Sequence, residues 1–265
     1  VHRRLIDATG VGVGMKVLDV GCGTGDLLAA ITERGANVTG VDPAIGMVER
    51  SRQTAPAADV RRASWDDLPW SGPTFDVVFA LNSLQFADDT LSAIAGASRL
   101  IRDGGLLAVA NWAERELNDL DRIDAALAAE DGDEPAPDGD LRREGGLEAV
   151  LDEAGLDVVT AGTVGAAWEA VDEPALLRAV LLDDDASADV SSYRASVLNA
   201  ARPFRREDGR YVLGTTYRYA IGRVRVGCNE PERDDAERDG AERDDAGPHD
   251  RGRGTERYDE ERGDS

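Results

Sequence analysis

Three glycines at alternate positions, Gly21, Gly23 and Gly25, follow a short apolar run that carries one carboxylate, Asp19. Glycine takes positive φ without strain and has no Cβ, so a ligand can lie against such a backbone. The segment that follows is amphipathic, with Leu27, Leu28 and Ile31 on one side and Glu33 and Arg34 on the other. This is the pattern of a buried parallel strand, a tight turn and a helix, the opening half of a nucleotide-binding βαβ unit. A dinucleotide turn needs glycine or alanine at the sixth position of G-x-G-x-x-G, and Asp26 stands there instead. Asp26 would also repel a pyrophosphate at the helix N-terminus, where an anion otherwise sits well. The spacing selects a ligand with positive charge and no phosphate. Asp19 then serves as partner, directly or through water, for an amino group. A glycine turn in some other α/β domain is the alternative reading.

Asp19, Gly21, Gly23 and Gly25 together resemble the first motif, (D/E)-x-G-x-G-x-G, of the class I S-adenosylmethionine-dependent methyltransferases. The resemblance implies S-adenosylmethionine as cofactor, with Asp19 facing the amino group of its methionine part. Asp42 closes a second apolar run, about 20 residues beyond the first motif glycine, where an acidic side chain accepts both ribose hydroxyls. Its other reading is a cap for the next helix, with Pro43 as that helix's first residue. Met47, one turn further on, rests either against the adenine or in the core.

The loop from Ser64 to Trp70 resembles the family's G-D-A-x-x-L-P-F segment, but Ser64 stands where the family has the aspartate that holds the adenine amino group. The Ser64 hydroxyl still accepts a hydrogen bond and the Trp65 amide still donates one. Asp66 either replaces the missing carboxylate or, like Asp67, is a solvated loop charge. Leu81, at the end of the fourth strand, completes the cofactor set.

The run from Thr74 to Leu81 is almost continuously apolar, as a strand covered on both faces should be. It opens into Asn82-Ser83-Leu84-Gln85-Phe86, where the family places its methyl-acceptor contacts. Asn82 and Gln85 are therefore candidates for substrate contact, with helix capping and exposed loop polarity as the plainer account. Methyl transfer from a sulfonium is an in-line displacement with an activated leaving group, so the protein mainly aligns the reactants and excludes water. No catalytic residue is assigned. His2 and His249 lie in poorly placed ends of the chain, which leaves Asp66, Asp67, Asp88, Tyr211, Tyr217 or Tyr219 as a base. An acceptor that is nucleophilic unaided, such as a thiolate, an amine or a stabilised carbanion, needs none.

The elements that must hold these residues follow from periodicity. A helix-like piece over 1–9 precedes strands over 17–20, 36–42, 59–63 and 74–81. A helix over 90–101 then stops at Asp103-Gly104-Gly105, a glycine exit, and a fifth strand covers 106–112. A surface loop over 131–140, a helix over 146–154 and a sixth strand over 156–164 come next, then helices over 174–182 and 190–201. A last strand occupies 210–226. The resemblance implies an α/β, Rossmann-like sheet of seven strands in the order 3-2-1-4-5-7-6, mostly parallel with the seventh antiparallel, and a helical cap insertion over about 165–210. One methyltransferase domain is expected over 1–228. The remainder, 229–265, is an acidic near-repeat without apolar periodicity and is expected to be disordered.

The chain has 265 residues, 42% of them apolar, and a formal net charge of −23 with Lys16 as its sole lysine. Such acidity argues against nucleic acid and anionic membranes as partners, since neither finds a basic stripe here. It fits a halophile's cytoplasm, where salt screens self-repulsion; a generic acidic protein is the alternative. No apolar run reaches the length of a membrane span and no signal peptide is apparent. Cys22 and Cys228 suggest neither a disulfide framework nor a metal site. Two other functions stay open. An NAD-dependent oxidoreductase would share the first strand and Asp42 but lacks the third fingerprint glycine. A non-catalytic S-adenosylmethionine-binding or regulatory protein would keep the glycines and lose the acceptor chemistry.

Overall fold

The computed structural model describes residues 1–181 and 190–226. A helix α1 (His2–Thr9) leads into alternating strands and helices: β1 (Lys16–Val20), α2 (Asp26–Thr32), β2 (Asn37–Asp42), α3 (Ile45–Thr54) and β3 (Asp59–Arg62). After them come β4 (Phe75–Leu81), α4 (Thr90–Arg99), β5 (Ile101–Trp112), α5 (Asp119–Asp131), α6 (Gly146–Glu153) and β6 (Asp157–Ala170). The helices α7 (Glu173–Leu181) and α8 (Val190–Ala201) precede the last strand, β7 (Tyr211–Arg223). The seven strands form one sheet in the order β3-β2-β1-β4-β5-β7-β6. β1 to β5 pair in parallel, whereas β7 runs antiparallel to both β5 and β6. The sheet expected from the resemblance is the sheet observed.

Alternate residues of the buried strands face opposite layers, as a pleated sheet covered on both sides requires. Leu18, Val20, Val78, Ala80, Leu107 and Val109 pack with Ile94 of α4 and Leu151 of α6. Val17, Val77, Phe79, Ala108 and Ala110 pack with Leu5 of α1, Leu28 of α2 and Val48 of α3. A third cluster stands apart. Beyond Trp112, where β5 ends opposite Tyr217, β6 and β7 continue as a pair to Ala170 and Tyr211. That overhang packs Ala170, Tyr211 and Leu213 against Ile123 of α5, Leu176 of α7 and Val197 of α8.

Several sequence expectations shift. The Asp103-Gly104-Gly105 stretch does not end a helix: α4 stops at Arg99, and Leu100 closes it in a right-handed conformation. Gly104, at φ 73, instead sits inside β5, where the register to β4 slips between Phe75 and Val77. A glycine in a bulge and a glycine in a helix cap need the same positive φ, so the sequence does not separate them. Pro43 lies outside α3, whose first helical residue is Ile45. β6 runs six residues past the expected Val164, to Ala170. Sequence reading also passed over α5, whose Leu120, Ile123 and Leu127 lie at helical spacing among acidic residues. The expected disordered tail lies outside the described residues, as do His249 and Cys228. Among the described residues, no helix is long and apolar enough to cross a membrane.

Candidate cofactor and acceptor site

The glycine loop is pinned between β1 and β2. The Gly21 and Cys22 amides donate to the Val41 carbonyl at 2.8 and 2.9 Å, and Gly25, at φ 86, caps α2. The three glycines do different work. A Cβ on Gly21 would meet Ser83 Cβ at 2.2 Å, and one on Gly25 would meet Ser51 Oγ at 2.6 Å, so these two permit close packing. A Cβ on Gly23, at φ 52, meets nothing within 4 Å. Gly23 is the glycine that faces open space.

Beneath the loop, Asp19 is 2% exposed and its Oδ1 has no hydrogen-bond partner. Burial, and secondarily the neighbouring charge of Asp42, push its carboxyl up from 3.8 to about 7. A buried acceptor left without a donor is costly, so this oxygen is shaped for a donor that the described residues do not supply. Asp42 is also buried, but occupied. Its Oδ2 accepts the Gly23 amide at 3.0 Å and its Oδ1 accepts the Ala44 amide at 2.9 Å. It thus holds the loop and the entry to α3 together. Each carboxylate oxygen keeps a further lone pair for another donor.

The remaining candidates lie at or beyond the carboxyl ends of β2, β3 and β4. Met47 and Ile45, in the first turn of α3, are 44% and 53% exposed, large apolar side chains left uncovered just beyond Asp42. Ser64 is half-buried, while Trp65 is buried with its indole donating to the Ser83 carbonyl at 3.0 Å. The Trp65 side chain anchors the loop in the core. Asp66 and Asp67 are exposed. Leu81 packs partly buried against the α1–α2–α3 side of the sheet. Asn82 follows it at φ 50, a left-handed conformation unusual for a residue with a side chain. Its amide donates to the Ala110 carbonyl at 2.8 Å, and its Oδ1 is buried without a partner. Strained backbone of this kind concentrates at functional sites.

Gln85 is exposed on the turn after β4 and lines a cavity of about 920 Å³ with Asn111, Trp112, Leu141 and Val150. Sequence reading missed Asn111 and Trp112. They close β5, and the carboxyl ends of parallel strands are where such folds bind ligands. That rule, applied to the fifth strand as to the fourth, would have found them.

The proposed bases fare unevenly. Tyr219 is buried and its hydroxyl oxygen accepts from Arg4 Nε and Nη2 at 2.9 and 2.6 Å. Tyr211 belongs to the cluster under α7 and α8. Asp88 is exposed. His2, expected to be poorly placed, opens α1 and lies near enough to Asp26 to feel its charge. Burial and then the N-terminal ammonium lower its pKa, and Asp26 raises it. The Cys22 thiol is buried and pushed up to about 12, chiefly by that burial, which makes it inert. No group of three or more metal-ligating side chains occurs among the described residues.

A sheet of this order, with a buried carboxylate, Asp19, just before an open glycine turn, defines a class that comparison makes specific. A family model for a methyltransferase domain matches residues 18–109. The 27-O-demethylrifamycin SV methyltransferase of Amycolatopsis mediterranei (strain S699) is 31% identical over 230 residues, covering 82% of this chain and 74% of its own length. The ubiquinone biosynthesis O-methyltransferase of Pseudomonas aeruginosa (strain UCBPP-PA14) is 38% identical over 97 residues. That match takes in 35% of this chain and 42% of the relative, so the chain spans under half of that protein's length. A solved protein of Bacillus halodurans C-125 superposes with a TM-score of 0.60 at 13% identity, over 85% of this chain and 99% of its own, a likeness of fold.

The chain belongs to the class I S-adenosylmethionine-dependent methyltransferases. The site fits that family's cofactor: the unpartnered Asp19 Oδ1 suits an ammonium, and Gly23 leaves room for a ligand against the backbone.

Proposed function

We propose that this chain transfers a methyl group from S-adenosylmethionine to a small-molecule acceptor, in a salt-rich cytoplasm. The observation that carries the reading is the buried Asp19 oxygen without a partner, directly below an open glycine turn. Asp19 takes the ammonium of the methionine part in a charge-assisted bond. Gly23 lets the ligand approach the main chain. The remaining lone pairs of Asp42 accept the ribose hydroxyls, so one carboxylate fixes both loop and sugar. Met47 and Ile45 offer an apolar face to the adenine, and Ser64 with the Trp65 amide meets its polar edge.

The cofactor supplies a methyl on a sulfonium, whose departure needs no acid. What the protein must add is alignment. In this reading Asn82, at the end of β4, and Gln85, Asn111 and Trp112, which line the cavity of about 920 Å³, orient the acceptor. None is a strong base, which favours an acceptor that is nucleophilic unaided or one deprotonated by solvent. The acidic surface supports small molecules rather than nucleic acid or anionic membranes as partners.

Calorimetry with S-adenosylhomocysteine and with NAD, followed by a methyl-transfer screen over phenols, amines and thiols, tests the reading. Tight S-adenosylhomocysteine binding, weak NAD binding and turnover on one acceptor class are expected. NAD binding in the absence of S-adenosylhomocysteine binding would overturn it.

A further inference from the structure

The two edges of the sheet are built differently. β3 has four residues, three of them charged, and an edge so short and so charged resists pairing with another strand. β6 is the opposite case. It has 14 residues and carries no charge between Asp157 and Glu169. It contains neither lysine nor proline, and much of it is small: Ala161, Gly162, Gly165, Ala166 and Ala167. One neighbour, β7, pairs along its whole length, and its other side has no partner strand among the described residues. Thr163, Gly165 and Ala167, along its middle, are exposed. Only the register shift between Val158 and Thr160 interrupts it.

We propose that β6 pairs antiparallel with β6 of a second copy of this chain, about a two-fold axis near Val164, doubling the sheet. Electrostatics points to a like copy. In a chain of net charge −23, self-association is repulsive over most of the surface. Along β6 it is not. The end charges are partnered within each chain, Asp157 by Arg225 at 2.8 Å and Glu169 by Arg210 at 3.0 Å, an arginine that Asp208 shares at 2.7 Å. An antiparallel pairing lays the Asp157–Arg225 pair of one chain beside the Glu169–Arg210–Asp208 group of the other, so each end of the contact brings an arginine to the facing carboxylates. A two-fold contact is also self-complementary without any further matching of side chains.

Sedimentation velocity and light scattering on the full chain in molar potassium chloride test this. A particle of twice the 28.2 kDa chain mass is expected. Thr163→Glu, at an exposed site near the axis, sets like charges across the pair and should weaken the dimer by about tenfold or more. Gly165→Glu, where a Cβ meets open space, should do the same. Thr163→Lys alone should also weaken it, and mixing Thr163→Glu with Thr163→Lys should restore a mixed dimer. Melting temperature and S-adenosylhomocysteine affinity, unchanged in these variants, show that the fold is intact. A monomer at all concentrations overturns the proposal. A dimer indifferent to these charges overturns it too, since another surface would then be responsible.

Discussion

The Gly23 amide donates to Asp42 Oδ2 at 3.0 Å, so the open glycine of the turn and the carboxylate assigned to the ribose form one unit. The other oxygen of Asp42 holds the Ala44 amide at 2.9 Å. The cap reading of Asp42 does not hold: α3 has Ala44 as its N-cap without a side-chain hydrogen bond, and Asp42 instead holds the Gly23 and Ala44 amides ahead of the helix. Asp42→Ala should lose about 1–3 kcal/mol of stability, the cost of leaving such amide donors without their acceptor. It should also weaken S-adenosylhomocysteine binding by about one to three powers of ten, the worth of one or two charge-assisted bonds. Asp42→Asn turns an amide nitrogen toward one of the two backbone donors and should show a milder form of both losses. Comparing S-adenosylhomocysteine with its 2′-deoxy analogue isolates the sugar contact. Parent and Asp42→Ala differing equally for both ligands would remove the ribose role and leave the loop-holding one.

Asp19 gives the site a pH signature. Its carboxyl titrates near 7 in the folded protein and near 3.8 when unfolded, so between those values the folded state binds more protons. Stability must then fall as pH rises from 4 to 7, by at most roughly 4 kcal/mol for a shift of this size, and level off above. Asp19→Asn removes this cost. Its melting temperature should exceed the parent's at pH 8, with the gap closing toward pH 4. Ligand binding runs the other way. An ammonium favours the carboxylate, so S-adenosylhomocysteine affinity should decline below pH 7 in the parent, with proton release on binding. In Asp19→Asn it should be weak at every pH. Calorimetry in buffers of different ionisation enthalpy counts the protons; no release at pH 6 would remove the ammonium contact.

Much of the fold is written in local pattern. β1, β2 and β4 are short apolar runs ended by Gly21, Asp42 and Asn82, and each ending is itself a residue of the proposed site. Where two structures share one local requirement, the pattern fails. Gly104 needs positive φ in a bulge as it would in a helix cap, and only the pairing of Leu106 with Val77 decides. The length of β6 depends on β7, which comes about forty residues later in the chain and holds Ala170 opposite Tyr211. Asn111 and Trp112 were legible as a strand end yet not as cavity walls, because α6 and Leu141, distant in sequence, form the rest of that cavity. The open oxygen of Asp19 is a further case. The place of the carboxylate was legible in the motif, but that no described residue satisfies it is a fact of packing.

Salt dependence follows from composition. At net charge −23 with a single lysine, the folded chain repels itself, and the repulsion is screened over about 10 Å at 0.1 M salt and about 3 Å at 1 M. The melting temperature should climb steadily from low salt to molar potassium chloride. Sodium perchlorate at equal ionic strength separates screening from salting-out, because perchlorate screens without strengthening apolar burial. A flat or falling curve in potassium chloride would remove the case for a halophilic host.

The glycine turn allows the sharpest separation of binding from folding. Gly21 and Gly23 both have positive φ, at 76 and 52°, so alanine at either position carries a left-handed strain of about 1–2 kcal/mol. They differ in what the new methyl meets. At Gly21 it would lie 2.2 Å from Ser83 Cβ. Ser83 cannot easily yield: its hydroxyl donates to the Val20 carbonyl and its own carbonyl receives the Trp65 indole. Overpacking adds about 1–3 kcal/mol to the strain, so Gly21→Ala should be severely destabilised. At Gly23 the methyl enters open space. Gly23→Ala should therefore fold, with a melting temperature only a few degrees below the parent's. Yet that space is where the cofactor is proposed to lie against the backbone, and a methyl there should weaken S-adenosylhomocysteine binding by about tenfold or more, the effect of a lost close contact. The expected result is a crossed pattern: Gly21→Ala limited by stability, Gly23→Ala stable and binding poorly. Gly23→Ala with parental affinity would show that the ligand does not approach the main chain at this turn.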